Sequence, residues 1–266
     1  MNVNAYLKRI GYSRSLEPTT ETLKQLQRAH MLAVPFENLD ILLGRSINLS
    51  LPSFYDKIIQ RQRGGFCYEL NGLFGWLLEQ LGFKVVLLSA RVFKGTQPGS
   101  ELDQHLLLLV EMEERLIADV GFGDSFIEPL RLDAGVEDVQ RGCAYRLIGS
   151  GSERLLQRRR ESDWESQYLI SLTPCQLKDF SNMCHYQQTS SESHFTQKVL
   201  CSLATRDGRI TLSKNRLIIT TGDQRKEQMV WHEKEYRKLL KSYFGIEFEE
   251  GVQIDTLMGL GESFLG

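Results

Sequence analysis

Arg63-Gly64-Gly65-Phe66-Cys67-Tyr68-Glu69-Leu70-Asn71 is the stretch on which the reading of the whole chain turns. Phe66, Leu70, Leu73, Phe74, Leu77, Leu78 and Leu81 recur at helical spacing, which predicts a helix starting near Phe66 and closed by Gly82. Cys67 then falls in the first turn. Unpaired backbone N–H groups and the positive end of the helix dipole favour a negative sulfur there, so the position predicts a lowered thiol pKa and a nucleophile. The same N–H groups suit an oxyanion. Gly64 and Gly65 let the chain turn sharply and let a ligand approach the backbone, where a Cβ would intrude. A cysteine on an apolar helix is also read as a small buried core residue, and the residues that decide between the two lie downstream.

Outward from that stretch the pattern changes twice. On its N-terminal side, Val3, Tyr6, Leu7 and Ile10 mark a short helix closed by Gly11. A second starts after Pro18-Thr19-Thr20-Glu21 and runs through Leu23, Leu26 and His30. Pro35 stops it, so residues 34–40 form an ordered loop or extended run carrying Phe36. Ser53 after Pro52 is expected to cap a further helix through Phe54 and Ile58, and residues 1–83 together read as a helical bundle.

Beyond Gly82 the chain turns β-rich: strands are predicted at 84–93, 104–112 and 115–120, with a tight turn at Glu113-Glu114, then at 144–148, 154–157 and 168–171. The first pairing returns Asp119 toward His105. Residues 84–175 read as an antiparallel sheet or barrel. In 176–266, a helical piece at 177–182 precedes strands at 194–204, 208–212, 217–220 and 228–231, with a hairpin turn at Asp207-Gly208 and a closing amphipathic helix through Tyr236, Leu240 and Phe244. The fold class is α+β.

At 266 residues with 41% hydrophobic composition the chain can build a packed core, and a net charge of −2 gives no basic surface for nucleic acid. Neither a secretory leader nor an eighteen-residue apolar run is read, so a cytoplasmic protein without membrane partners is expected. Cys67, Cys143, Cys175, Cys184 and Cys201 are odd in number and scattered, which argues for reduced thiols. Cys175, Cys184, His185, His194 and Cys201 match none of the common zinc spacings, so no metal is expected.

An acyl-transferring cysteine requires a base, and the base requires a group that fixes its tautomer. Cys67, His105 at the head of one strand and Asp119 on the next supply all three, in an order resembling that of a helix-plus-barrel cysteine hydrolase. Taken singly, His105 is also a plain barrel residue and Asp119 a turn cap.

These motifs resemble the arylamine N-acetyltransferase family: Arg-Gly-Gly-Phe-Cys67-Tyr-Glu-Leu-Asn, His105 before four leucines, Asp119-Val-Gly-Phe-Gly, Val-Pro35-Phe36-Glu37-Asn38-Leu39, and Ser191-Glu-Ser-His194-Phe195 followed by Asp207-Gly-Arg and Leu212. The likeness spans essentially the whole chain. It implies a helical bundle, a β-barrel and an α/β lid around a cysteine-protease-like catalytic core. It further implies ping-pong transfer from acetyl-CoA through a Cys67 thioester, with His105 as base and Asp119 orienting it, to an arylamine or arylhydrazine. Phe36, Phe122 and Phe195 match positions that wall the acceptor pocket. Gln104, Gly123 and Trp231 are expected to contact coenzyme A, in a monomer or homodimer.

Arg63, Glu69 and Asn71 are expected to hold the active-site loop by hydrogen bonds, and Arg158-Arg159-Arg160 to form a solvated loop. Three rival readings share the scaffold: an amide synthase moving a longer acyl chain to an aromatic amine, a cysteine hydrolase, and a silent binding member, against which the intact triad stands.

Overall fold

The computed structural model describes residues 1–95, 97–99, 104–133 and 135–259. The N-terminal segment is helical: α1 (Val3–Arg9), α2 (Thr20–Ala33), the two-residue strand β1 (Phe36–Glu37), α3 (Leu39–Leu42), α4 (Leu51–Tyr55) running into a π-helical turn over Asp56–Gln60, and α5 (Cys67–Gln80). Thr19 caps α2 through its side chain. The cap of α4 is Ser50, not Ser53, because Pro52 sits inside the first turn, where its missing N–H costs nothing.

The strands β2 (Lys84–Lys94), β3 (Gln97–Pro98), β4 (His105–Glu111), β5 (Leu116–Ala118), β6 (Leu130–Arg131), β7 (Asp138–Gln140), β8 (Cys143–Ile148), β9 (Glu153–Arg159) and β10 (Trp164–Cys175) follow. They form one antiparallel sheet in the order β6-β5-β4-β2-β10-β9-β8-β7, with β3 beside β2. β6 comes back against β8, so the sheet is nearly closed into a barrel. Arg158 and Arg159 end β9 rather than forming a loop, and Arg158, Arg160 and Arg209 converge on the Asp124 carboxylate.

The last third contains α6 (Ser181–Thr189), α7 (His194–Gln197), β11 (Cys201–Ala204), β12 (Gly208–Ser213), β13 (Arg216–Thr221), β14 (Gln224–Met229), α8 (Glu233–Phe244) and α9 (Asp255–Met258). Its sheet runs β1-β11-β12-β13-β14, so an N-terminal strand forms its edge. Residues 194–197 are helical, unlike the strand expected over 194–204, because the Ser193 hydroxyl accepts from the Phe195 N–H and starts a turn before the β-rich run begins. No helix among the described residues is long and apolar enough to cross a membrane.

α5 is buried along nearly its whole length and packs on β4 and β2. Gly75 permits that approach: a Cβ there would stand 3.3 Å from Leu108. The central helix and the barrel therefore share one apolar core.

Candidate active site

Phe66 is the N-cap of α5 and Cys67 its first residue, 3% exposed. The loop before it is fixed from below by buried charge. Glu69 accepts from the Phe66 N–H at 3.1 Å and from Lys57 at 3.0 Å, while Arg63 pairs with Glu37 at 2.7 Å and with Asp40 at 3.2 Å. Lys57 also reaches Asp40 at 2.9 Å. Burial opposes these charges, but the facing carboxylates outweigh it and hold Lys57 and Arg63 above their ordinary pKa. Arg63 and Glu69 thus act as their position in sequence suggested. Glu37, Asp40 and Lys57 complete the cluster, and only their burial, invisible in sequence, marks them.

His105 opens β4, and Asp119 stands one residue past the end of β5, where Ala118 pairs with Leu108. Their side chains meet at 2.7 Å between Nε2 and Oδ2, both groups buried. Asp119 Oδ1 accepts from Asn71 Nδ2 and from the Gly121 N–H, each at 2.8 Å, and Oδ2 accepts from the Tyr168 hydroxyl at 2.9 Å. Burial raises the Asp119 carboxyl, but His105 and these hydrogen bonds outweigh it, so the pKa lies below the usual value and the group stays ionised.

Asn71, one turn past Cys67, also donates to Leu106 O at 2.7 Å and accepts from Val120 N at 2.8 Å. It clamps α5, β4 and the turn after β5 to one another. Tyr168 and Gln27, whose Oε1 accepts from the Asp119 N–H at 3.3 Å, went unread, since neither belongs to a local motif and only the tertiary fold brings them to Asp119.

The thiol differs from its sequence-based expectation. Burial pushes Cys67 well above an ordinary cysteine, and the nearby Asp119 charge adds to this. Backbone N–H groups of Leu106 and Tyr68 pull the other way without reversing it. The helix N-terminus is there, but desolvation wins. The sulfur lies 3.9 Å from Gln104 O, which also accepts from Tyr68 Oη at 3.3 Å and Gln187 Nε2 at 3.1 Å.

Cys67 and His105 open on a cavity of about 700 Å³ walled by Phe36, Phe122, Phe195 and Met183. The Phe122 ring stands 5.3 Å from that of His105, and Phe36 lies 6.1 Å from Phe195. Gln104 lines the same cavity, and Gly123, at φ +91, lies over the Phe36 ring. Trp231 is 59% exposed and is not part of this cavity.

A family profile described as N-acetyltransferase matches residues 19–252. The chain is 34% identical over 278 residues to human arylamine N-acetyltransferase 1, covering 94% of this chain and 95% of that protein. To the Salmonella typhimurium arylamine N-acetyltransferase / N-hydroxyarylamine O-acetyltransferase it is 38% identical, over 79% of this chain and 76% of that one. Among solved structures, the Salmonella typhimurium arylamine N-acetyltransferase superposes with a TM-score of 0.90 at 32% identity, covering 97% and 98% of the two chains. The Mycobacterium marinum arylamine N-acetyltransferase in complex with CoA superposes at 0.88, with 29% identity over 97% and 99%.

Proposed function

The chain belongs to the arylamine N-acetyltransferase family, and from that membership we propose that it carries an acetyl group from acetyl-CoA to an aromatic amine or hydrazine by way of a Cys67 thioester. The observation that carries this reading is the buried 2.7 Å bond between His105 and Asp119 beside an aromatic-walled cavity that also receives Cys67.

Asp119 occupies Nε2 of His105, which leaves Nδ1 to take the thiol proton. Sulfur attacks the thioester carbon of acetyl-CoA, the coenzyme A sulfur departs, and the imidazolium returns the proton to it. The amine nitrogen then attacks the acetyl carbon and gives its proton to His105, and the Cys67 sulfur leaves and is reprotonated. Asp119 keeps its charge throughout and stabilises the imidazolium.

Because burial raises the Cys67 thiol, its deprotonation depends on a base, the role assigned to His105. The apolar walls keep water from the thioester. Gln104, which lines the cavity next to His105, is assigned to the thiol end of coenzyme A, while Gly123 and Trp231, which do not line it, are assigned to parts of the coenzyme farther from the sulfur.

Intact-protein mass after mixing with acetyl-CoA tests this reading. One acetyl adduct should form, vanish on adding a simple arylamine, and be absent from Cys67→Ala. An adduct from a longer acyl thioester but none from acetyl-CoA would replace the reading with an amide synthase.

A further inference from the structure

Among the described residues, the cavity that receives Cys67 is lined by no lysine or arginine, and Glu192 is the one carboxylate among them on its wall. That glutamate makes no ion pair within the described structure. It sits in the turn between α6 and α7, and the turn is pinned. The Glu192 and Ser193 N–H groups donate to Ser190, the Ser193 hydroxyl donates to Gln187 O at 2.9 Å, and Gln197 Nε2 donates to Ser191 O at 2.6 Å. These bonds hold the backbone of the turn that brings Glu192, itself exposed, to the cavity wall.

A second group leans the same way. Gln187 is 6% exposed and its Nε2 is committed to Gln104 O, which fixes the orientation of the amide. Its Oε1 has no donor among the described residues. The wall formed by α6 and the turn after it thus offers hydrogen-bond acceptors and negative charge in a cavity also lined by phenylalanine.

An aromatic amine bearing a carboxylate would lose water against Phe36, Phe122 and Phe195, meet no lysine or arginine among the described residues, and face Glu192. An uncharged amine avoids all three costs, and a cationic substituent gains from Glu192. Resting on the acetyl transfer proposed above, we propose that this acceptor cavity selects by charge, with Glu192 as the determinant: it takes neutral and cationic arylamines and arylhydrazines and disfavours those carrying a carboxylate.

The test isolates the second half of the reaction. The protein is acetylated with acetyl-CoA, freed of coenzyme A, and chased at about pH 7.5, where an ordinary histidine is neutral, with para-aminophenylacetamide or para-aminophenylacetate. The methylene keeps the two amines similar in reactivity, so the rate ratio reports the charge. The amide should react about tenfold faster, and added salt at about 0.5 M should shrink that ratio. In Glu192→Gln the ratio should fall about threefold, and in Glu192→Lys it should invert.

Using a ratio within one preparation removes differences in folded fraction. Equal chase rates for the two amines in the parent, or an acetylated Glu192→Gln with the parent's ratio, would overturn the inference. A parent protein that takes up no acetyl group would instead remove the transfer reading, and the inference with it.

Discussion

Asp119 is the residue whose environment is most completely specified, with four groups converging on its two oxygens. Asp119→Asn should leave a folded protein whose acetyl transfer, followed as coenzyme A release, drops about 10⁴-fold, because the imidazole loses its orienting charge. Tyr168→Phe removes one donor from the carboxylate, so its pKa should rise and the acidic limb of the pH–rate profile should move upward. The loss of rate should be about tenfold or less. An unmoved limb would show that Tyr168 only packs. The meeting of His105 and Asp119 was legible in sequence, since the tight turn between their strands returns one toward the other. The direction of the thiol's pKa shift was not: a helix N-terminus can be read from spacing, whereas the burial that outweighs it belongs to the folded core.

At the scale of elements, α5 and the turn after β5 are fitted closely enough that single atoms matter. A Cβ on Gly121 would lie 2.8 Å from the Cys67 Cα and 2.6 Å from Asn71 Nδ2. Gly121→Ala should therefore push the turn off the helix, lowering stability by about 1–3 kcal/mol and activity by far more, which thermal melts and acetylation rates together would report. α2 carries a pH dependence of its own. His30 is buried against Tyr6 and Phe74, and burial above all, with Arg9 adding to it, depresses its pKa to about 3. The unfolded chain binds that proton near pH 6.5, so the stability His30 contributes is complete above that value and is lost as pH falls toward 3. The loss approaches about 1.4 kcal/mol per pH unit within the window. Urea midpoints should fall accordingly between those limits, and His30→Gln should flatten the decline. α5 was readable because periodicity and a closing glycine agree. α7 was not, because its four residues sit in a β-rich run and owe their turn to one serine hydroxyl. Ser53 reads as a cap because a serine beside a proline fits one pattern at two registers, and the backbone uses Ser50.

For the molecule as a whole, the charge cluster under Cys67 joins segments distant in sequence: Glu37 on β1, Asp40 on α3, Lys57 on the π-helical turn, Arg63 in the glycine loop and Glu69 on α5. Removing one member strands the others without solvent, so Lys57→Met should cost about 3–5 kcal/mol, measured as a fall in chemical-denaturation midpoint. The passage from helices to strands was visible as a change of pattern at 83–84, where β2 begins at Lys84. The edge strand β1 was not, because two residues carry no periodicity and their partner lies far along the chain. That partner is β11, and beside it Asn38 donates to the carbonyls of Phe195 and Lys198 and accepts from the Leu200 N–H. The bond to Phe195 spans 157 positions. During synthesis the N-terminal part of the cavity wall therefore waits, half built, until the ribosome has delivered most of the chain. A nascent protein halted after the barrel would hold cysteine, histidine and aspartate yet lack the closing wall, leaving any captured acetyl group open to water.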